Sequence, residues 1–148
     1  MRNSRSIAVA QTCPVAGDVL ANLDEHIRLA CRAAEVGARV VVFPELSLIG
    51  YELELAVGLA FSENDHRLSP LLDSATSHGV TMVVSAPVRL GESLYIGAFI
   101  VHPHRTTEIY PKHRLDADNS RTEIAFSAGS SHQLAPRTAH QLRKVSRK

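Results

Sequence analysis

Three short runs rich in β-branched residues alternate with two stretches of helical periodicity: SIAVAQ at 6–11, RVVVF at 39–43 and VTMVVS at 80–85. Each run is too short for a stable helix, and its residue types suit a pleated, packed surface. The first ends ahead of Pro14 and Gly17 and reads as a buried strand. The second reads as a strand buried on both faces, closed by Pro44, which cannot donate a ladder hydrogen bond. Between them Asn22 is the expected N-cap, with Glu25 three residues on as its capping-box partner. Leu23, Ile27, Ala30, Cys31 and Ala34 then recur on one helical face, and Gly37 supplies a left-handed stop. A second helix is expected from Ser69 as cap and Pro70 at its first position, with Leu71, Leu72 and Ala75 apolar and Gly79 ending it. Strands at 94–101 and 106–110 follow, with a turn around 103–105. Helices alternating with apolar strands imply an α/β fold whose sheet is parallel at least at its start.

A length of 148 residues suits one domain with a real core. Sixteen Lys and Arg against fifteen Asp and Glu remove whole-protein charge as an argument for nucleic acid. The balance is uneven along the chain. All 15 acids lie within 1–123, whereas 124–148 carries only bases: Arg137, Arg143, Lys144, Arg147 and Lys148. These bases have no interleaved aromatics, so residues 135–148 read as a solvated, disordered tail after a domain at 1–134, and nucleic acid is not an expected partner. Two cysteines make no disulfide framework, no secretion signal opens the chain, and no apolar run approaches the roughly 20 residues of a membrane span. A cytoplasmic, soluble protein without membrane contact is expected. His102-Pro-His104 reads as a turn rather than a ligand set, CxxC and HExxH are absent, and the glycines form no phosphate loop. No metal or cofactor is expected.

Three residues could carry chemistry. Glu45 stands two positions past a buried strand, where open α/β sheets gather functional side chains and where partial desolvation can raise a carboxyl pKa. Lys112, in YPKHRL after the strand at 106–110, could stabilise an oxyanion from a strand end. Glu123 follows eleven residues later. Taken singly, each reads equally as a solvated surface charge.

Together the stretches AVAQTCPVAGDVLANL, VVVFPELSLIGYE, YPKHRL and Glu123 followed by AFSAG resemble the nitrilase superfamily of carbon–nitrogen hydrolases, in order and in spacing, over about residues 6–134. The resemblance implies a four-layer α-β-β-α sandwich, of which this chain would supply roughly half. It also implies a Glu-Lys-Cys site acting on a small amide, nitrile or carbamoyl compound. In that scheme Glu45 is the general base, Lys112 supports the oxyanion, Glu123 is a second, positioning glutamate, and Tyr51 is a pocket-wall residue.

One element of the family pattern is missing. Its nucleophilic cysteine follows the lysine at the end of a further apolar strand, yet none of the 36 residues after Lys112 is Cys. Cys13 and Cys31 have no motif support as substitutes, and neither do Ser47, Ser130 or Ser131. Ile96 also stands where many members have asparagine. The chain therefore reads as an amino-terminal half continued by an unrelated tail, as a frameshift or premature stop would produce, and inactive in isolation. The alternative is a non-catalytic remnant serving as a binding or assembly module. Strands meant to meet a second sheet would face water, so self-association or a complementary half is expected.

Overall fold

The computed structural model describes residues 6–115. In chain order these form β1 (Ser6–Val9), α1 (Val19–Glu35), β2 (Ala38–Val42), α2 (Ala56–Leu59), α3 (Ser69–His78), β3 (Thr81–Leu90), β4 (Ser93–Val101) and β5 (Glu108–Arg114). Single 3₁₀ turns at Leu53–Leu55 and His66–Leu68 lead into α2 and α3. One sheet has the order β1-β2-β3-β4-β5, parallel from β1 to β3 and antiparallel from β3 to β5. Helices α1 and α3 pack on each other and against the sheet. Leu23, Ala30, Leu71 and Ala75 from the helices share a buried core with Val41, Met82, Val84, Val88, Phe99 and Val101 from the strands. The described residues thus form a mixed α/β sheet and its helical layer, half of the expected sandwich. No helix among them is long and apolar enough to cross a membrane.

Both helix starts differ from the sequence expectation. Asp18, not Asn22, caps α1, its Oδ1 accepting from the Ala21 N–H at 3.0 Å. Glu25 pairs with Arg28 instead of reaching back to the cap, and the guanidinium holds its carboxyl below the ordinary range. Asn22 is drawn inward because its amide satisfies backbone groups that no ladder reaches. It accepts from the Val15 N–H (2.7 Å) and donates to the carbonyls of Val15 (2.9 Å) and Leu48 (3.1 Å). Ser69 is likewise no cap, because the preceding 3₁₀ turn moves the boundary back to Asp65, whose carboxylate accepts from the Arg67 N–H. Gly37 and Gly79 do take the left-handed conformations expected of them.

The first two strands are less buried than their composition implies. Ile7 is 66% exposed and Val9 83%, and their partners Val40 and Val42 on β2 are only half-buried. On β2, Val41 faces the helices and is buried. Period-two alternation sends the other set to the opposite face, which the turn carrying Leu46 and Ile49 covers at Ile96 but which stays open at Ile7 and Val9. A run of β-branched residues reports strand propensity; whether both faces are covered depends on what packs there.

Strand β3 runs five residues past the expected 85, through Pro87. Proline is tolerated because β2 has already left the ladder: Phe61 N–H donates to the Pro87 carbonyl (2.8 Å), and Arg89 N–H donates to the Phe61 carbonyl (2.9 Å). Strand β5 also extends beyond 110 and includes Lys112, which therefore lies inside a strand rather than after one.

Candidate functional site

Glu45 occupies the turn that leaves β2. The Ser47 N–H donates to the Pro44 carbonyl (3.2 Å), closing the chain around Glu45. Leu46 follows with φ 51°, a left-handed conformation that costs a bulky residue on the order of 1–3 kcal/mol. Two features hold it there. The Leu46 side chain is fully buried with Ile49 and Ile96, and its carbonyl accepts from the N–H groups of Ile49 (3.0 Å), Gly50 (3.0 Å) and Tyr51 (3.3 Å). Gly50 has φ 83°, and a Cβ there would stand 3.1 Å from Ala16 Cα. The glycine of the motif thus meets both a dihedral and a space requirement. Ile96, where the family resemblance calls for asparagine, fills the apolar space beneath this turn.

Lys112 reaches the turn from the other side of the sequence. In the β4–β5 ladder Gly97 pairs with Pro111 and Ile96 with His113, so Lys112 is the extra residue of a β-bulge. Bulges redirect side chains. Gly97 beside this bulge is confined from the β3 side, where a Cβ would fall 2.6 Å from Val88 Cγ1. Lys112 Nζ donates to Glu45 Oε1 at 2.5 Å, with the two side chains 60% and 31% exposed. The structure thus brings together the first two sequence candidates. Tyr51 ends the same turn with φ 60° and is 58% exposed. Glu123 and the boundary at 134 lie outside the described residues.

The two cysteines sit elsewhere. Cys13 is exposed in the segment after β1, and Cys31 Sγ on α1 lies 3.7 Å from Glu35 Oε1. His102 contacts Glu108 (2.9 Å) and Thr81 (3.5 Å), whereas His104 adopts φ 57° in the following turn. Among the described residues no group of three His, Cys, Asp or Glu could hold a metal. A broad groove between residues 63–76 and the turn at 104–108 includes neither Glu45 nor Lys112.

Sequence inspection missed the support behind the turn. His26 on α1 is 1% exposed, stacked on Phe43 with ring centroids 4.1 Å apart. Its Nδ1 lies 2.6 Å from the Asn22 carbonyl, which can only accept, so Nδ1 carries the proton. Nε2 is then an acceptor for the Ser47 hydroxyl at 2.8 Å. Burial pushes the imidazole below its ordinary pKa, against smaller opposing effects of the Asn22 carbonyl and Glu25. One signal could have revealed it: Asn22 and His26 share the inward stripe of α1 with Leu23 and Ala30, and polar residues on such a stripe mark a buried network.

Comparison with known proteins identifies the family and the fold. The family model described as carbon–nitrogen hydrolase matches residues 6–136. A nitrilase of Pseudomonas syringae pv. syringae is 32% identical over 121 residues, covering 72% of this chain and 36% of that protein. An arylacetonitrilase of Aspergillus niger is 33% identical over 103 residues, covering 62% and 31%. Among solved structures, an amidase from Nesterenkonia sp. superposes with a TM-score of 0.64 at 28% identity, covering 88% of this chain and 51% of that one. The chain thus spans about a third of the length of these curated relatives and about half of the solved amidase. With a matching family model across most of its length and a five-strand sheet and helices that superpose on about half of an amidase, the chain belongs to the carbon–nitrogen hydrolase family, the nitrilase superfamily.

Proposed function

We propose that this chain carries the glutamate–lysine part of a carbon–nitrogen hydrolase site, and that the thiol completing it comes from outside these 148 residues. The 2.5 Å contact between Lys112 Nζ and Glu45 Oε1 supports this most directly, because residues far apart in sequence converge as an acid–base pair would require. Glu45 takes the proton of an incoming thiol, and the thiolate attacks the carbon of a small amide. The Lys112 ammonium stabilises the oxyanion that forms. Collapse breaks the C–N bond, the proton held by Glu45 passes to the departing amine, and water then cleaves the thioester to a carboxylic acid. Nitriles and carbamoyl compounds fall in the same substrate class. A mutant of the amidase from Nesterenkonia sp. AN1, similar to this chain in fold, shows Michael addition of acrylamide at its active-site cysteine. Cys13 is exposed after β1 and Cys31 lies beside Glu35 on α1, so neither is assigned as the nucleophile and the isolated chain is expected to be without turnover. Glu123 as positioning glutamate and Tyr51 as pocket wall complete the assignment.

A second reading, a non-catalytic assembly module, is favoured by one observation: the exposed apolar face carrying Ile7 and Val9. Mixing the chain with the thiol-bearing half of a related amidase, and assaying ammonia release over a panel of amides, separates the two. The enzyme reading requires silence from the chain alone and turnover in the mixture that Glu45→Gln or Lys112→Ala abolishes. Assembly with the added half but silence throughout favours the module. Turnover by the chain alone that survives both substitutions overturns the assignment.

A further inference from the structure

Glu45 sits on a turn with a left-handed leucine beside it and a carboxylate 31% exposed, so its direction must be imposed from behind. His26 is placed to do this. Its ring stacks on Phe43, two residues before Glu45, and its Nε2 accepts from the Ser47 hydroxyl two residues after. One buried imidazole thereby grips both flanks of the turn, and its own orientation is set by the Asn22 carbonyl. Asn22 adds a parallel tie one residue further on, to the Leu48 carbonyl, but touches neither flank that His26 holds.

We propose that His26 and Ser47 are positioning residues for Glu45, a latch between α1 and the turn that fixes the carboxylate against Lys112. The inference rests on the reading of Glu45 and Lys112 as the site's acid–base pair. Ser47 is itself only 1% exposed, so it acts through the turn and not on substrate. The relevant chemistry is the directed O–H···N bond. Any residue that leaves Nε2 or the hydroxyl unmatched frees the turn to rotate about its strained leucine, and the carboxylate then samples directions that no longer meet the ammonium.

The test reads the ion pair itself and needs no turnover. The chain has three lysines, so its side-chain ammonium ¹⁵N spectrum holds three signals, and Lys112 is assigned by its loss in Lys112→Arg. The order parameter of that signal measures how firmly Glu45 holds it. Glu45→Gln should lower it to the value of a free lysine, and His26→Leu and Ser47→Ala should each lower it to the same level. Leu71→Val, a core change in α3 that lowers stability without touching the turn, should leave it unchanged at the same temperature. Should His26→Leu fail to fold, Ser47→Ala alone decides, because it removes only the hydroxyl. Lys112 order retained in Ser47→Ala while Glu45→Gln loses it overturns the latch and leaves the pair standing. Order unchanged in Glu45→Gln overturns the pair, and the latch with it.

Discussion

Lys112 Nζ lies 2.5 Å from Glu45 Oε1, linking a bulge in β5 to the turn after β2 across 67 residues of sequence. An ion pair this open contributes on the order of 0–1 kcal/mol to folding. Glu45→Gln and Lys112→Ala should therefore each shift urea-unfolding stability by less than about 1 kcal/mol. A loss of more than about 3 kcal/mol would identify the pair as a structural element instead.

Stability should fall on mild acidification because of His26. Its folded pKa lies below the ordinary 6.5, so the unfolded chain takes up the proton first. The contribution is complete above the ordinary histidine range, declines as pH drops through it, and levels off below the depressed folded value. Denaturant titrations between pH 8 and pH 5 should show a slope in the wild type that His26→Gln lessens, which separates His26 from the other histidines.

Asp65 presents the opposite linkage. Arg67 hydrogen-bonds its carboxylate, stacks over the Phe61 ring at 3.8 Å and donates to the carbonyls of Leu59 and Ala60. The guanidinium holds the Asp65 carboxyl far below its ordinary range, with the Ser62 and Arg67 backbone N–H groups adding to the effect. The contribution is present above the ordinary carboxyl value and is lost as pH falls below it. Asp65→Asn should cost about 1.5–3 kcal/mol at neutral pH and flatten the acid limb of the stability curve. Equal acid sensitivity in variant and wild type would reassign that limb to other carboxylates.

Gly50 and Gly37 separate backbone strain from collision. Both have positive φ, but a Cβ at Gly37 meets open space, whereas at Gly50 it presses on the Ala16 backbone. Gly37→Ala should cost about 1 kcal/mol and Gly50→Ala about 2–4 kcal/mol, read by thermal unfolding. Similar losses at the two sites would show that the Ala16 segment gives way.

The uncovered sheet face should drive association. Ile7→Lys combined with Val9→Lys should shift sedimentation toward monomer and reduce binding of a hydrophobic dye, since charge on an edge strand blocks pairing and apolar contact alike. A wild-type chain that is already a dye-silent monomer would remove the prediction.

Much was legible before any coordinates. The β-branched runs, the glycine stops and the order of elements depend on local propensity, and local propensity survives into the fold at 38–42 and 69–79. The motif around Glu45 and Lys112 was legible as family resemblance. Its physical basis was not, because Leu46, Gly50 and the bulge at Lys112 are matters of backbone geometry.

What the sequence determined by itself is the chemistry available: two carboxylates, Glu45 and Glu123, and one ammonium, Lys112, in family register, with no cysteine among the 36 residues after Lys112. Tertiary structure decided which groups meet. It turned Asn22 from the expected N-cap into a buried tie, buried His26 against the turn, moved both helix caps upstream, and left Ile7 and Val9 facing outward. For the buried ties and the exposed strand the reason is common: which partners bury and satisfy these groups depends on neighbours distant along the chain.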